Sequence, residues 1–421
     1  MTPRPSSSTR RLASLAVVTS LALAGCSKAH HGSAQTGTSP AITSAVVAPP
    51  ASAAPTSSAP VSQSPAPTST APAPAVSPTA TPTSAATGGP VPAGFLPMSV
   101  TFVSAQTGFV LGQVPCKSTL CYGLAKTTDA GHSFTFVADL PVVPQNAQLI
   151  TEVRFANLRD GWAFGPQLWA THDGGATWSH EAEPGPVSDV EAAAGVAYAL
   201  VASCGTKPCI QGDRLLKTPV AQDAWSAISM QALPDGAGSI ALHGSAIWVV
   251  DNGGSTGTFD TSADGTSWHR LPNPCLSAGT DLVLVGVAPA STSRLFLLCA
   301  GNPAAGSESK VVLISLDGGV TTHLTPSAPA NGGIAGTIAA ANDSVVAVSA
   351  QSGATLIYRS PDVGLTWATP FNKGDGGRGL TDLGFTTPTQ GVAIYGRPGD
   401  GAVSQLLMTR NAGATWTPVS F

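Results

Sequence analysis

Charged residues are scarce in this sequence of 421 residues, since 19 Lys and Arg and 23 Asp and Glu together make up only 10% of it. This composition excludes nucleic acid as a partner, because proteins that bind phosphate backbones concentrate positive charge on one surface. Beyond the N-terminal region no run of 18 apolar residues occurs, which excludes a transmembrane helix there. The histidines are scattered and no Gly-rich run opens a helix, so neither a Ser/His/Asp catalytic set nor a phosphate-binding loop is indicated.

The first 26 residues have the pattern of a bacterial lipoprotein signal. Arg4, Arg10 and Arg11 precede an apolar run from Leu12 to Ala24 that is too short to span a membrane. The run ends in Leu-Ala-Gly-Cys26, which resembles a lipobox, where the cysteine thiol is diacylated and the preceding residues are removed. We therefore expect residues 1–25 to be a signal peptide and the lipid on Cys26 to be the only membrane anchor. The remaining chain would then lie outside the cytoplasm, on the outer face of the plasma membrane in a bacterial cell envelope.

Residues 26–92 are almost wholly Ala, Pro, Ser and Thr and contain no acidic residue. Such a segment cannot bury enough apolar area to offset the entropy lost on ordering, so it is predicted to be a disordered stalk. If its proline-rich stretches are extended at about 3.1 Å per residue, the stalk could reach on the order of 200 Å from the membrane. A spacer of this length suits a module displayed beyond a cell wall.

An eight-residue pattern, Ser/Thr-x-Asp-x-Gly-x-Thr-Trp, recurs through the rest of the sequence. Thr171–Trp178 is the best copy, and successive copies lie roughly 44 to 54 residues apart, the period of a four-stranded propeller blade. A carboxylate at the third position can accept N–H groups of the turn, and the glycine supplies its positive φ. A degenerate copy over residues 218–225 keeps only its two ends. In the six other copies the third residue is Asp129, Asp173, Asp264, Asp317, Asp362 or Asn411.

These repeats resemble the BNR or Asp-box family, which is found in sialidases, sortilin-type receptors and photosystem II assembly factors of the Ycf48 type. The resemblance implies an all-β domain over residues 93–421. It implies a β-propeller in which each Asp-box is the turn between the third and fourth strands of a blade, remote from any ligand. Seven copies predict seven blades. Because the last repeat ends at Phe421, soon after its Asp-box, residues near Phe95–Met98 are expected to complete the closure of the ring.

The second repeat also resembles the whole-repeat pattern of the Ycf48 type, with Phe155, Gly161, Trp162 and Gly165 ahead of its Asp-box. That resemblance implies a scaffold without catalysis. Sialidase chemistry needs an arginine triad and a Tyr nucleophile, but the Phe/Tyr-Arg-Ile-Pro motif is missing and the chain has only four tyrosines. We therefore expect a monomeric, non-catalytic binding scaffold for a protein or a cell-envelope glycan. The alternatives are an envelope assembly factor of the Ycf48 type and a sialidase-like glycoside hydrolase.

Six cysteines remain after lipidation of Cys26, an even number in a protein expected outside the cytoplasm. Local disulfides are the simplest assignment for the two pairs that have four residues between them, and the last two cysteines are then left as partners. Placed on the strands of each blade, all three bridges fall on the face opposite the Asp-boxes. The predicted pairs are Cys116 with Cys121, Cys204 with Cys209, and Cys275 with Cys299.

Four inner strands are predicted to begin with an acid that follows Ser or Thr, and these acids are Glu152, Asp189, Asp281 and Asp382. In a closed propeller they would encircle one mouth of the central channel and could hold a basic ligand or a calcium ion, the one cofactor considered. The alternative is that each acid caps backbone N–H groups at the start of a strand. Crowded carboxylates of this kind are expected to have raised pKa values.

Overall fold

The computed structural model describes residues 88–115, 120–142, 150–182, 185–202, 213–231, 233, 238–251, 259–279, 281–399 and 404–421. The predicted lipidation site Cys26, the stalk as far as residue 87, and Cys116, Cys204 and Cys209 lie outside these residues. Within the described part of the chain, no helix has the length and apolar character needed to cross a membrane.

Seven antiparallel sheets form the blades of a β-propeller, which confirms the predicted fold class and blade number. Blade 1 contains β1 (Gly89–Pro90), β2 (Leu96–Phe102), β3 (Gly108–Pro115), β4 (Leu120–Thr127) and β5 (Thr135–Asp139). Blade 2 contains β6 (Glu152–Phe155), β7 (Gly161–Phe164), β8 (Leu168–Thr171) and β9 (Ser179–Glu181). Blade 3 contains β10 (Val187–Ala193), β11 (Val196–Val201), β12 (Arg214–Pro219) and β13 (Ser226–Ala227).

The remaining blades repeat this order, and a 3-10 helix over Pro274–Ser277 connects blades 4 and 5. Blade 4 contains β14 (Gly238–His243), β15 (Ala246–Asp251), β16 (Phe259–Ser262) and β17 (His269–Leu271). Blade 5 contains β18 (Val283–Pro289), β19 (Leu295–Ala300), β20 (Lys310–Ser315) and β21 (His323–Leu324). Blade 6 contains β22 (Ile334–Ala340), β23 (Val346–Ser360) and β24 (Ala368–Gly376). Blade 7 contains β25 (Leu380–Phe385), β26 (Gly391–Gly396), β27 (Ser404–Thr409) and β28 (Thr417–Pro418).

Blade 6 has the same four-stranded plan as the others, because β23 supplies two strands. The first half of β23 pairs with β22, and the second half of β23 pairs with β24. The N–H of Val363 donates to the carbonyl of Ser344 (2.8 Å), so both ends of β23 lie at the same end of the sheet. The segment therefore folds back on itself near Gly353, whose φ of 63° suits such a reversal.

The core consists of apolar layers between neighbouring blades. The middle strands are covered on both faces, so they are nearly continuous apolar runs; all six residues of β19, Leu-Phe-Leu-Leu-Cys-Ala, are buried. Phe109 of blade 1 stacks on Phe155 of blade 2 with ring centroids 3.7 Å apart. The outer strands β13 and β28 are two residues long and exposed, as expected for strands with a neighbour on one side only.

The aspartates of the eight-residue motif close the turns between the third and fourth strands. In blade 2 the N–H and the hydroxyl of Thr177 both donate to the carboxylate of Asp173, at 2.9 and 2.6 Å. The hydroxyl of Thr171 also donates to Asp173 (2.9 Å) and accepts the N–H of Gly175 (2.9 Å), whose φ is 89°. The same hydrogen bonds recur around Asp129, Asp317 and Asp362. Asn411 keeps them except that its amide N–H donates to the hydroxyl of Thr415 (2.9 Å).

Replacing Thr171 with valine is expected to destabilise the protein by about 1–3 kcal/mol, the cost of leaving a buried donor unpaired. Thr171 is only 2% exposed, and valine would keep its shape while leaving the N–H of Gly175 without its acceptor. Chemical denaturation measures the change. Thr177→Val is the control, because water can replace the bond made by this exposed hydroxyl. A Thr171→Val protein as stable as the wild type would contradict this account of the turn.

The degenerate third copy is tied to blade 2 by side chains that the sequence pattern did not reveal. His172 lies between two carboxylates, with Nδ1 2.8 Å from Asp160 and Nε2 2.6 Å from Asp223. The indole N–H of Trp162 donates to the other oxygen of Asp223 (3.1 Å). Burial opposes protonation of His172, but its hydrogen bonds to Asp160 and Asp223 outweigh burial and raise its pKa. The third repeat therefore replaces the internal hydrogen bonds of an Asp-box with bonds to its neighbour.

The ring closes by packing and hydrogen bonds between blades 1 and 7, without exchange of strands, and residues near Phe95–Met98 take part in the closure as expected from the sequence. β28 is the outer strand of blade 7, and β2, which contains Leu96–Met98, is the inner strand of blade 1. Phe421 packs between Phe95 and Phe134, with centroid distances of 4.7 and 4.8 Å. β1 pairs with β5 and adds a fifth strand to blade 1. The propeller therefore begins before residue 93, where the sequence predicted the start of the domain.

Candidate functional site

The inner strands of the blades line the central channel, and a β-bulge fixes their register. In five inner strands, β2, β10, β18, β22 and β25, the pairing with the second strand slips by one residue, and in β2, β10, β18 and β25 the slip marks an equivalent level of the channel. The residues that follow the slip are Ser99 in β2, Asp189 in β10, Gly286 in β18 and Asp382 in β25.

This register corrects the predicted ring at Asp281. In blade 5 the position equivalent to Asp189 and Asp382 is Gly286, which has no side chain to contribute. Asp281 lies ahead of β18, is exposed, and is not among the residues that line the channel. Leu282 follows Asp281 just as an apolar residue follows each of the other three acids. This shared pattern explains why the sequence aligns Asp281 with those acids.

The structure does bring Glu152, Asp189 and Asp382 together, and it adds Arg154 and Glu191 to them. The guanidinium of Arg154 lies 3.0 Å from a carboxylate oxygen of Glu191 and 3.5 Å from one of Glu152. Its Nε also donates to the carbonyl of Val190 on the next blade (3.3 Å). Four carboxylates thus face one guanidinium, and the remaining lining of the channel interior consists of uncharged residues.

Arg154 and Glu191 were missed as members of this site, although the sequence carries a signal for them. Successive side chains of a strand alternate between faces, so a residue two positions after a channel-facing acid faces the channel as well. This places Arg154 with Glu152 on β6 and Glu191 with Asp189 on β10.

Two of the acids also hold neighbouring blades together. Asp189 accepts the N–H of Ile240 in blade 4 (2.7 Å), and Asp382 accepts the N–H of Val100 in blade 1 (2.8 Å). The hydroxyl of Ser99 accepts the N–H of Val153 in the same way (3.2 Å). Asp189 and Asp382 therefore cap backbone donors, as the alternative interpretation of the acids proposed, but the donors belong to the next blade.

Among the described residues, no backbone N–H of a neighbouring blade donates to Glu152, whose side-chain partner is Arg154. Burial, followed by repulsion from Asp382, raises the pKa of Glu152 to about 8 despite the attraction of Arg154. Burial also raises the pKa of Glu191 to about 7 and raises that of Asp189. Burial opposes the charge of Arg154, but the surrounding carboxylates outweigh it and raise its pKa, so Arg154 is a permanent cation.

A cavity of about 290 Å³ lies at the mouth of the channel opposite the turns between the third and fourth strands. Glu152 and Asp382 line it together with the apolar side chains of Met98 and Leu380. Arg397 lies on the same cavity, in the segment that follows β26. The side chain of Glu152 keeps 37% of its surface exposed, so this carboxylate is accessible from the mouth.

The disulfide between Cys275 and Cys299 braces this same face and confirms one predicted pair. Cys275 belongs to the helix between blades 4 and 5, and Cys299 lies near the end of β19 that points away from the Asp-box of its blade. Cys121 is disulfide-bonded as well, and its predicted partner Cys116 lies outside the described residues. The predicted pair Cys204 and Cys209 falls outside them too.

The channel carries negative charge without the arrangement of a metal site. In the described part of the chain, no group of three or more His, Cys, Asp or Glu side chains is placed to hold a metal ion. One oxygen each of Asp189 and Asp382 is already engaged by a backbone N–H. The arrangement therefore suits a cationic organic group, which needs charge and hydrogen-bond acceptors but no fixed coordination shell.

The sequence matches no protein-family model and no curated protein. Among solved structures it is similar to YCF48 bound to D1 peptide, with 17% identity over 77% of this chain and 96% of that one and a TM-score of 0.51. YCF48 from Cyanidioschyzon merolae gives 16% identity over 78% and 99% of the two chains and a TM-score of 0.51. The β-propeller domain of the Trilobed protease from Pyrococcus furiosus gives 10% identity over 80% and 97% and a TM-score of 0.50. At these identities the likeness extends to the propeller fold.

Proposed function

We propose that this protein is a non-catalytic binding propeller of the bacterial cell envelope that holds a positively charged group of a protein ligand in its central channel. The observation that carries the proposal is the surplus of carboxylates over cations: Glu152, Asp189, Glu191 and Asp382 face Arg154 alone inside the channel. A bound cation would relieve the repulsion among these acids, which a neutral glycan would not do.

Two further observations support a protein ligand. One of the similar structures is YCF48 bound to D1 peptide, so a propeller of this fold holds a peptide. The mouth of the channel also lies on the face braced by the Cys275–Cys299 disulfide, and rigid faces of this kind commonly carry binding residues. The protein ligand could be an envelope protein during its assembly, and an assembly factor of this kind would use the same site. The likeness to the YCF48 structures favours this role over other binding roles.

We also propose that the protein lies on the outer face of the plasma membrane, as the sequence predicts. The lipobox-like Leu-Ala-Gly-Cys26 and the Ala/Pro/Ser/Thr-rich stalk over residues 26–92 would tether the propeller to the outer face of the plasma membrane and extend it away from the lipid. The low content of charged residues is compatible with that setting.

A binding measurement with the full-length protein tests this function. The probe is the peptide Gly-Ser-Gly-Lys-Gly-Ser-Gly, and its matched control has norleucine in place of lysine. We expect the lysine peptide alone to bind, and Glu152→Gln to weaken it by about tenfold, the loss of one charge-assisted hydrogen bond. Asp281→Asn is the control variant, since it removes the same charge outside the channel. Equal binding of both peptides, or an equal effect of both variants, would refute the proposed site.

A glycoside hydrolase is the second candidate, and one observation favours it. Glu152 combines a raised pKa with a neighbouring carboxylate, Asp382, as the acid catalyst of a glycosidase does. Hydrolysis of an aryl sialoside that Glu152→Gln abolishes would establish this activity and replace the binding role. The absence of turnover by a protein that binds the lysine peptide would leave binding as the function.

A further inference from the structure

The cavity at the channel mouth combines opposite charges. Glu152 of blade 2 and Asp382 of blade 7 supply carboxylates, whereas Arg397, also from blade 7, supplies a guanidinium. Arg397 is exposed and makes no hydrogen bond or ion pair with any described residue, unlike Arg154 deeper in the channel. A lone cationic side chain of a ligand would satisfy the two acids but would leave Arg397 without a partner.

The size and lining of the cavity limit the ligand to about one residue. Its volume of about 290 Å³ lies just below the range of roughly 300–1,000 Å³ for ligand sites. Met98, Leu380 and Pro398 supply apolar surface between the charged groups. Such surface suits the methylene stem of a lysine or arginine, whose head can then reach carboxylates.

An ion pair within the channel shows how its carboxylates bind a cationic side chain. Arg154 already places its guanidinium against Glu191 and Glu152, so the channel carboxylates accept N–H donors of this class. Glu152 lines both the channel interior and the mouth cavity, and 37% of its side-chain surface is exposed.

We infer that the mouth cavity binds a residue that carries both a side-chain cation and a free carboxylate, with the cation between Glu152 and Asp382 and the carboxylate on Arg397. This inference rests on the proposed function and narrows its ligand to a lysine or arginine that ends a chain, or to the free amino acid. Arg397 is then the residue that selects a terminal carboxylate over an internal peptide bond, because its planar donors match a carboxylate.

The charged groups that face Glu152 can be assigned strand by strand. β6 contributes Arg154, β10 contributes Asp189 and Glu191, β25 contributes Asp382, and Arg397 lies at the rim. The channel-lining residues of β2, β14, β18 and β22 are uncharged. Binding of the cation favours the ionised form of Glu152, so affinity should rise from pH 5.5 to pH 8 as its proton is lost.

Isothermal titration of the full-length protein with four probes tests the inference. Three are peptides of sequence Gly-Ser-Gly-Ser-Lys: one with a free C-terminus, one with an amidated C-terminus, and one with norleucine replacing lysine and a free C-terminus. Free lysine is the fourth probe. We expect the free acid to bind about tenfold tighter than the amide, the worth of one charge-assisted contact. The norleucine peptide should not bind, and free lysine distinguishes the amino acid from a chain end as the source of the ligand.

Variants separate the two halves of the cavity. Arg397→Gln should remove the preference for the free acid over the amide, and Glu152→Gln should weaken both lysine peptides. Asp281→Asn should change neither, and thermal unfolding verifies that every variant is folded. Equal binding of acid and amide, or a preference that persists in Arg397→Gln, would overturn the inference and leave the proposed function standing. Failure of all four probes to bind would overturn both.

Discussion

Replacing Arg154 with methionine is expected to lower the free energy of unfolding by about 3–5 kcal/mol at pH 8, the cost of removing one partner from a buried charge network. Of the described residues that line the channel interior, Arg154 is the one cation beside the carboxylates of Glu152, Asp189 and Glu191, and its side chain is 18% exposed. Without it the acids must bind protons or remain charged in one another's field, and the carbonyl of Val190 loses its donor.

The loss caused by Arg154→Met should be smaller at pH 5. Burial raises the pKa values of Glu152 and Glu191 from the ordinary value of 4.5 to about 8 and about 7, so both are protonated in the folded protein at pH 5 and need less compensation. Between about pH 4.5 and pH 8 these two groups bind more protons in the folded than in the unfolded chain. Their contribution to wild-type stability is therefore lost as the pH rises through that window.

Urea denaturation of the wild type and of Arg154→Met at pH 5 and pH 8 measures both effects. Arg154→Met combined with Glu191→Gln provides the control, because removing a facing carboxylate should restore part of the loss and give a non-additive cycle. A loss that is equal at the two pH values would show that Arg154 contributes through packing alone and would contradict the electrostatic description of the channel.

Removing the Cys275–Cys299 disulfide is expected to destabilise the protein by about 3.5 kcal/mol, the entropy of a closed loop of this length in the unfolded chain. The two cysteines are separated by 24 positions in sequence, and both are fully buried in the layer between blades 4 and 5. Replacement of both by alanine would also leave small cavities, which add to the loss.

Denaturation of Cys275→Ala/Cys299→Ala under oxidising conditions measures this contribution. Wild-type protein treated with a reductant is the comparison, and the reductant should destabilise the double variant less than the wild type. A double variant whose free energy of unfolding lies within about 1 kcal/mol of the wild type would show that the interblade packing holds this face without the covalent link.

The sequence predicts the parts of this fold that are determined locally. The eight-residue motif closes its turn through hydrogen bonds within seven residues, as around Asp173, so each copy is recognisable in the sequence and the copies count the blades. The bridge between Cys275 and Cys299 follows from the number and spacing of the cysteines together with that blade plan.

The parts that depend on distant contacts could not be predicted in this way. The register of β18 is set by its pairing with β19, which puts Gly286 and not Asp281 at the level of the acids. The region near Phe95 was expected to close the ring, but its specific contact with Phe421, which also packs on Phe134, joins positions more than 280 apart in the chain. The bond from Asp223 to His172 likewise joins two blades, and no periodic pattern marks it.

A diffraction structure of the full-length protein, crystallised at pH 8 with the peptide Gly-Ser-Gly-Ser-Lys, would show where the ligand binds. We expect the lysine ammonium between Glu152 and Asp382 and the terminal carboxylate in contact with Arg397. A peptide bound on another surface while the channel mouth holds only solvent would contradict this expectation.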